Sequence, residues 1–289
     1  MEKIKKLILK EESCFLIGDI HACLNTFKKL IKLAPKKSKI ISVGDIVNKG
    51  KFSRKTIKYF RNNPDILVVR GNHEDNLIKS KEFIIKLIQL ENIKDSLLKK
   101  TYISKKDSIL NSIKYKTDWG YTNYLDVLSE YENNLNRLLK DIEWLETLPF
   151  LIIIENILNK EGKKLLVSHS LSYTYFEEYN ELLKDFEQNK ELIKKMEINL
   201  LWNRKLSRSC KNNKTNYFNI FGHTPVDNYD SKKYSRIQGK EVIPEPFIDL
   251  SKSCANIDTG CFDLDRRARG WLTAIEWPSL KHTSVFNID

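Results

Sequence analysis

A short apolar segment that recurs five times, and each time stops at a polar cluster, is the strongest constraint on the fold. Each copy has four or five residues, mostly aliphatic, β-branched or aromatic, as expected of a buried β-strand. The copies are Ser13–Ile17, Ile40–Val43, Ile66–Val69, Leu165–Ser168 and Tyr217–Phe221. In α/β sheets, functional sites form at the carboxyl ends of the strands. The sequence therefore predicts an α/β fold whose strand ends bring polar side chains to one centre.

The polar clusters contain the residue types that bind metal ions. Four of the five histidines lie in them, together with glycine, aspartate and asparagine. The clusters read Gly18-Asp19-Ile20-His21, Gly44-Asp45, Arg70-Gly71-Asn72-His73-Glu74, Ser168-His169 and Gly222-His223. Imidazole, carboxylate and amide ligands together suit manganese, iron or zinc. A single such cluster is more often a turn or a hydrogen-bonded histidine, but five favour a metal centre. His282 lies outside the pattern and is expected to be an ordinary residue.

Composition excludes several classes of protein. The chain has 289 residues, of which 41% are hydrophobic, so it is long enough to bury a substantial core. No stretch approaches the roughly 18 apolar residues of a membrane helix, and the first residues mix charged with apolar side chains. We therefore expect a cytoplasmic protein without membrane contact. The five cysteines form no CxxC pair, which argues against a zinc ribbon or disulfide framework and predicts buried thiols.

The net charge of +12 suggests an acidic partner, such as a phosphate or a nucleic acid. Most of the excess is lysine spread along the chain, so a charge that only maintains solubility is an equally good explanation.

Helical periodicity fills the segments between the predicted strands. Thr26–Ala34 repeats apolar residues on one helical face, and a second helical stretch covers about 175–201. Between them, about 76–148 forms a helical insertion that either overhangs the site as a cap or thickens an outer helical layer. No Pro/Gly/Ser-rich linker divides the chain, so 1–289 is expected to form a single domain.

The motifs resemble those of the calcineurin-like metallophosphoesterases, and among these the PPP-type serine/threonine protein phosphatases and symmetrical diadenosine tetraphosphatases. The family pattern is GDxHG, GDxVDRG, RGNHE, a strand-end His and GHT, and this chain has GDIHA, GDIVNKG, RGNHE, SHS and GHT. Leu201–Arg204 and Asn256–Cys261 are also similar to family motifs. The resemblance implies an α/β fold of two facing mixed β-sheets flanked by helices.

The resemblance further implies two divalent metal ions, with manganese the first choice and iron, zinc, cobalt or nickel as alternatives. The implied ligands are Asp19 and His21 for the first ion, Asp45 as the bridge, and Asn72, His169 and His223 for the second. A hydroxide bridging the ions would attack phosphorus. The implied catalytic set is His73 as the acid that protonates the leaving group, Asn48 as its support, and Arg70 and Arg204 on the phosphate. Lys49 and Asn72 complete the implied substrate-binding residues.

Asn48 and Lys49 depart from the family, which carries Asp-Arg at these positions. An amide supplies no negative charge to support an imidazolium, and lysine keeps the positive charge but loses the bidentate contact of arginine. Asn48 therefore counts against an ordinary serine/threonine phosphatase and slightly favours a nucleotide substrate.

The resulting expectation is a metal-dependent phosphoesterase acting on phosphate monoesters, in the first instance phosphoserine or phosphothreonine in proteins. Hydrolysis of dinucleoside polyphosphates and a polynucleotide phosphatase activity are the alternatives. A metal-binding pseudo-phosphatase or nucleic-acid-binding module is the non-enzymatic alternative. The charged loop between Gly260 and Leu272 is expected to be solvated surface, with a role in shaping the substrate as the other interpretation.

Overall fold

The fold is a sandwich of two mixed β-sheets flanked by helices. The computed structural model describes residues 3–91, 105, 108–109, 124–131, 134–172, 190–204, 213, 215–228, 243–264 and 269–289. One sheet has five strands in the order β11-β10-β2-β3-β4, and the other has six in the order β1-β5-β6-β7-β9-β8. This arrangement confirms the fold class expected from the sequence.

The five-stranded sheet provides three of the strand ends predicted to build the site. Its strands are β2 (Ser13–Ile17), β3 (Ser38–Ser42), β4 (Leu67–Val68), β10 (Trp271–Trp277) and β11 (His282–Phe286). β2, β3 and β4 run parallel, so their carboxyl ends lie at the same edge. β10 and β11 form an antiparallel pair beside β2.

The six-stranded sheet provides the other two strand ends. Its strands are β1 (Ile4–Leu7), β5 (Leu151–Leu158), β6 (Lys164–Ser168), β7 (Tyr217–Phe221), β8 (Phe247–Asp249) and β9 (Cys254–Asn256). β6, β7 and β9 are parallel to one another, whereas β5 and β8 are antiparallel to their neighbours β6 and β9. The histidine-bearing turns after β6 and β7 therefore emerge on one side.

The two sheets enclose a core made from the inward-facing residues of both. Leu16 and Ile41 of one sheet join Val167 and Ile220 of the other in a single buried cluster. Trp277 is fully buried there, and its indole N–H donates to the carbonyl of Ile157 at 2.8 Å, so the buried polar atom is satisfied.

Helices cover the outer faces of both sheets, and the helix that contains Leu200 and Leu201 packs against Leu151 and Leu166 of the six-stranded sheet. The described helices are α1 (Leu24–Ile31), α2 (Ser53–Asn62), α3 (Asn72–Lys79), α4 (Lys81–Glu91), α5 (Tyr124–Ser129), α6 (Leu135–Glu146) and α7 (Lys190–Trp202). Leu138 and Ile142 of α6 pack in the same cluster as Phe27 of α1 and Ile57 of α2. In its described part, the insertion thickens the outer helical layer, which was one of the two expected arrangements.

The boundaries of the elements agree closely with the sequence pattern. β2 and β7 match their predicted segments residue for residue, and the other three strands shift by one or two residues. The helix predicted at about 175–201 is described only from Lys190 onward, and 173–189 lie outside the described residues. Four of the five cysteines are buried as expected, while Cys210 falls outside the described part. None of the described helices combines the length and apolar character needed to cross a membrane.

Candidate metal centre

The turns at the strand ends have an unusual backbone conformation. His21, Asp45 and His223 have left-handed φ angles of 45°, 47° and 71°. Non-glycine residues pay on the order of 1–3 kcal/mol for such conformations, which persist only where the surrounding structure enforces them. Each of the three residues belongs to a group of buried side chains that could hold a metal ion.

Three ligand-type atoms converge on one point at the ends of β6 and β7. Asn72 Oδ1, His169 Nε2 and His223 Nδ1 lie 2.8–3.1 Å from one another. Ligands held about 2.1 Å from an ion at right angles are separated by about 3 Å, so this spacing fits a coordination shell. The other ring nitrogen of His169, Nδ1, lies 3.0 Å from the carbonyl of Val43. Donating its proton there leaves Nε2 with a free lone pair.

Asp45 lies between this group and a second group. Its Oδ1 is 3.4 Å from His169 Nε2, while its Oδ2 is 3.7 Å from both His21 Nε2 and His73 Nε2. The ligand atoms of His21, Asp45 and His73 lie within 4.8 Å of one another, as do those of Asp45, His169 and His223. One carboxylate thus offers an oxygen to each of two histidine groups, as a bridging ligand would.

Asp19 lies close to the turn that bears His223. It belongs to neither of the two groups identified among the described residues, and His73 stands with His21 instead. The Asp19 carboxylate accepts the backbone N–H of His223 at 3.1–3.2 Å. A Cβ on Gly222 would lie 2.1 Å from Asp19 Oδ1, so only glycine permits this approach. Ligation by Asp19 remains a prediction from the resemblance.

The electrostatics of the centre suit a divalent cation. Burial, followed by the charges of Asp258 and Asp45, raises the pKa of Asp19, and burial raises the pKa of Asp45 to about 7. Burial also lowers the pKa of His169 to about 4 and that of His21 well below its usual value. The imidazoles are therefore neutral near pH 7, with lone pairs available, while the crowded carboxylates need positive charge. This donor set fits the two-ion centre that the resemblance implies.

Lys49 supplies part of that positive charge. Its Nζ lies 2.9 Å from His21 Nε2 and 4.2 Å from the centre of the Phe262 ring. Burial lowers the pKa of Lys49, and the charges of Asp45, Asp258 and Asp19 oppose that change. The residue as a whole is exposed, so the structure places the Lys49 ammonium group at the solvent-facing edge of the centre, next to His21. Contact of Lys49 with a phosphate stays a prediction.

Glu74 holds the Asp45 turn in place. Its buried carboxylate accepts the backbone N–H groups of Asp45, Ile46, Val47 and Gly71 at 2.8–3.2 Å. A carboxylate is an acceptor only, so it matches this row of donors. Gly71 allows the close packing, since a Cβ there would lie 2.2 Å from Asp45 Oδ1.

Asn48 contacts His73, as the resemblance implied. The amide nitrogen of Asn48 is 3.3 Å from His73 Nδ1, and both side chains are buried. Burial, with the positive charge of Lys49 next, lowers the pKa of His73 well below its usual value.

The two arginines proposed for the phosphate differ in their surroundings. Arg70 Nη2 donates to the carbonyl of Glu146 at 2.6 Å, and the guanidinium lies 4.5 Å from the Phe150 ring centre. Asp75 is 3.8 Å from its Nη1. These contacts attach Arg70 to the end of α6. Arg204 is exposed two residues after α7, and its positive charge acts to lower the pKa values of Asp45 and His73 in the centre.

The described ends of the loop between Gly260 and Leu272 are buried or half-buried except for the exposed Leu264, so the expectation of solvated surface is wrong for most of them. Phe262 packs edge-to-face on His21 with ring centres 4.9 Å apart. Arg269 is only 8% exposed and pairs with Asp227 through two 2.9 Å hydrogen bonds and with Asp263 at 2.7 Å. Buried ion pairs with this geometry fix the loop against the centre.

Comparison with known protein families agrees with the site. The family model for calcineurin-like phosphoesterases matches residues 14–250, most of the chain. The chain belongs to the calcineurin-like phosphoesterases. Members of this family are phosphoesterases that use a dimetal centre.

Several curated relatives are named symmetrical bis(5'-nucleosyl)-tetraphosphatase. A symmetrical bis(5'-nucleosyl)-tetraphosphatase of Pseudomonas fluorescens is 32% identical over 87 residues, which are 29% of this chain and 31% of the relative. The one from Wigglesworthia glossinidia brevipalpis is 39% identical over 70 residues, 23% of this chain and 26% of the relative. The matched part thus spans less than a third of each relative. A solved structure of a putative diadenosine tetraphosphatase, 14% identical, covers all of both chains with a TM-score of 0.52 and supports the fold.

Sequence reasoning assigned no role to three residues that the metallophosphoesterase places at its centre. Glu74 and Asp258 lie inside motifs that carried the resemblance, and this position was the signal available for each in the sequence. Burial raises the pKa of Asp258, whose Oδ1 accepts the N–H of Gly260 at 2.9 Å. Phe262 carried no signal, because a single aromatic residue in a charged loop is consistent with many environments.

Proposed function

We propose that the metallophosphoesterase hydrolyses phosphate esters at a centre of two divalent ions bridged by Asp45. The observation that carries this proposal is the position of the Asp45 carboxylate, with one oxygen towards each of two groups of histidine nitrogens. When bound, two ions activate a water molecule and neutralise phosphoryl oxygens. Manganese is the proposed native ion, with iron, zinc, cobalt and nickel as alternatives.

The proposed roles of the protein groups follow from their positions. His21, with Asp19 as proposed from the resemblance, binds the first ion, and Asn72, His169 and His223 bind the second. Lys49 holds a phosphate oxygen from its position beside His21, and Arg204 reaches the phosphate from the exposed end of α7. His73 Nε2 faces the centre, from which it interacts with the leaving oxygen. In the described conformation, Arg70 holds the end of α6 through its hydrogen bond to the carbonyl of Glu146. Phosphate binding by Arg70 stays a prediction.

The substrate is proposed within two classes. The motifs alone favour phosphoserine or phosphothreonine in proteins. The names of the curated relatives favour a dinucleoside polyphosphate, which is the second candidate. Both classes place a phosphoryl group at the same centre and differ in the group that leaves.

A direct assay tests the proposal. Purified protein with manganese is tested against p-nitrophenyl phosphate, a phosphoserine peptide, diadenosine tetraphosphate and a 3′-phosphorylated oligonucleotide. We expect metal-dependent turnover that His169→Asn lowers by about 10³-fold, because it removes a metal ligand. His282→Asn is the matched control, since His282 is exposed on β11. Absence of metal-dependent turnover on all four substrates would refute the enzymatic function and favour the pseudo-phosphatase or nucleic-acid-binding module.

A further inference from the structure

The hydrogen bonds of Asn48 define which way its amide faces. Asn48 Oδ1 accepts the backbone N–H of Lys49 at 2.6 Å. Asn48 has a left-handed φ of 67°, a conformation that asparagine tolerates well, and its own N–H donates to Ser53 Oγ at 3.1 Å. With the oxygen so engaged, the amide nitrogen is the atom left facing His73 Nδ1 at 3.3 Å.

This orientation determines the tautomer of His73. An amide nitrogen carries two hydrogens and has only donor capacity, so it pairs with a ring nitrogen that accepts. His73 Nδ1 is therefore the acceptor, and the ring hydrogen lies on Nε2. That hydrogen points into the centre, where Nε2 is 3.7 Å from Asp45 Oδ2. A carboxylate at position 48 would instead accept a hydrogen from Nδ1 and support a ring that carries both.

We propose, on the basis of the proposed function, that Asn48 is a positioning residue that makes the centre selective for phosphoryl substrates with weakly basic leaving groups. Such substrates are phosphoric anhydrides and aryl phosphates, as opposed to the alkyl esters of serine and threonine. Held as an Nε2–H donor, His73 gives the leaving oxygen a hydrogen bond and keeps its hydrogen.

Hydrolysis of such a substrate does not need a proton from His73. An oxygen of water forms the new bond to phosphorus, and the bond between phosphorus and the leaving oxygen breaks. The electron pair of that bond stays on the leaving oxygen, and the proton of the attacking water goes to solvent. A phosphate leaving from an anhydride is stable as the resulting anion. A serine alkoxide is far more basic and needs a proton as it departs.

A leaving-group series tests the selectivity. The wild type is compared with Asn48→Asp and Asn48→Gly on diadenosine tetraphosphate, p-nitrophenyl phosphate, phenyl phosphate and a phosphoserine peptide. Both replacements tolerate a left-handed φ, so neither adds backbone strain. Asp supplies the missing charge, and Gly removes the side chain without supplying any.

We expect the wild type to favour p-nitrophenyl over phenyl phosphate by about 10²-fold in kcat/KM, and to cleave the anhydride faster than the phosphopeptide. Asn48→Asp narrows both ratios by about tenfold or more, and Asn48→Gly leaves them wide. Equal ratios in the wild type and Asn48→Asp would overturn the inference while leaving the phosphoesterase function intact. No metal-dependent turnover on any substrate would overturn the proposed function, and the selectivity with it.

A second readout does not depend on activity. In metal-free protein with ¹⁵N-labelled histidine, the ring signals of His73 are assigned by their loss in His73→Gln. In the wild type we expect the tautomer with its hydrogen on Nε2. In Asn48→Gly we expect the tautomer with its hydrogen on Nδ1, or an average of the two. A wild-type His73 with its hydrogen on Nδ1 would contradict the proposed direction of the Asn48 hydrogen bond and overturn the inference.

Discussion

Two constraints meet at Asp45, one on its side chain and one on its backbone. The carboxylate faces His21 and His169 with different oxygens, and the backbone N–H is held by Glu74 at 2.9 Å. The left-handed φ of 47° is the conformation that allows both at once. The centre can therefore be tested in two ways, by changing the Asp45 carboxylate or by changing Glu74, which holds the Asp45 backbone.

Asp45→Asn changes the bridge with almost no change of shape. The amide offers one weak oxygen in place of two charged ones, so we expect metal-dependent turnover of p-nitrophenyl phosphate to fall by about 10³-fold. Removing a buried negative charge beside Asp19 and Asp258 should at the same time stabilise the metal-free protein, as measured by urea denaturation. Asp65→Asn, at an exposed position in the turn before β4, is the control. Full activity in Asp45→Asn would show that the bridge is wrongly assigned.

Glu74→Gln changes the side chain that holds the backbone of Asp45. The amide nitrogen would face backbone N–H donors that now meet a carboxylate oxygen, leaving buried donors without an acceptor. We expect a loss of about 2–4 kcal/mol in the free energy of unfolding, together with weaker metal binding measured by titration calorimetry. Glu82→Gln on the exposed face of α4 controls for loss of a glutamate charge. Unchanged stability and metal affinity would argue that the four hydrogen bonds are not needed for the turn.

At the scale of elements, the helices that follow the first two metal-binding turns are capped by distant carboxylates. The residues before α1 and α2, Cys23 and Phe52, make no side-chain cap. Instead, the Asp289 carboxylate accepts the N–H groups of Asn25 and Thr26 at 2.9 Å. Acidic groups at a helix N-terminus satisfy free donors and complement the helix dipole. The two helices are thus anchored by other parts of the chain.

The cap on α2 connects the insertion to the centre. Glu130 directly follows α5, and its carboxylate accepts the N–H groups of Ser53 and Arg54 at 2.9 Å. Ser53 in turn accepts the N–H of Asn48. The loop with Asn48 and Lys49 therefore rests on a helix end that the insertion holds.

Glu130→Ala tests this connection. Loss of a helix cap costs about 1 kcal/mol, which should lower the midpoint of thermal unfolding by about 2–4 °C. Because the loop carries Lys49, the KM for p-nitrophenyl phosphate should rise more than kcat falls. Glu143→Ala on the exposed face of α6 is the matched control and should leave KM unchanged. A Glu130→Ala variant with wild-type stability and KM would show that the insertion does not support the loop.

The elements themselves were largely predictable, whereas these caps were not. β2 and β7 are recognisable because they are apolar runs bounded by glycine, and burial on both faces of a strand requires such runs. Glu130 and Asp289 are separated from the helices they cap by 77 and 264 residues along the chain. A carboxylate at such a distance in sequence carries no local signal, since its position depends on tertiary packing.

At the scale of the whole molecule, the centre exists because two sheets bring their strand ends together. The turns after β2, β3 and β4 come from one sheet, and those bearing His169 and His223 come from the other. The sequence predicted which residues meet, because five strand ends carry histidine, aspartate or asparagine, although each cluster alone would be weak evidence. It did not predict which of these side chains become neighbours. Asp19 lies against the His223 backbone, and His73 lies beside His21.

This assembly also concentrates buried negative charge at the junction of the sheets, which links metal binding to the stability of the fold. Burial raises the pKa of Asp45 from 3.8 to about 7 in the metal-free protein. Well below pH 3.8 this group is protonated in both the folded and the unfolded chain, so it does not make stability depend on pH. As the pH rises towards 7, the unfolded chain loses the proton first, so the metal-free fold loses stability.

Metal removal should therefore destabilise the protein more at neutral than at acidic pH. Bound ions offset the carboxylate charge and bind only the folded chain, so manganese at about 100 times its dissociation constant adds about 2.7 kcal/mol. We expect EDTA to lower the midpoint of thermal unfolding by about 5 °C or more at pH 7.5. At pH 5, where protons compete with the ions for Asp45, the difference should shrink. In Asp45→Asn, EDTA should change the midpoint of thermal unfolding at pH 7.5 much less than in the wild type. A wild-type midpoint that depends on neither metal nor pH would contradict a buried centre that needs cations.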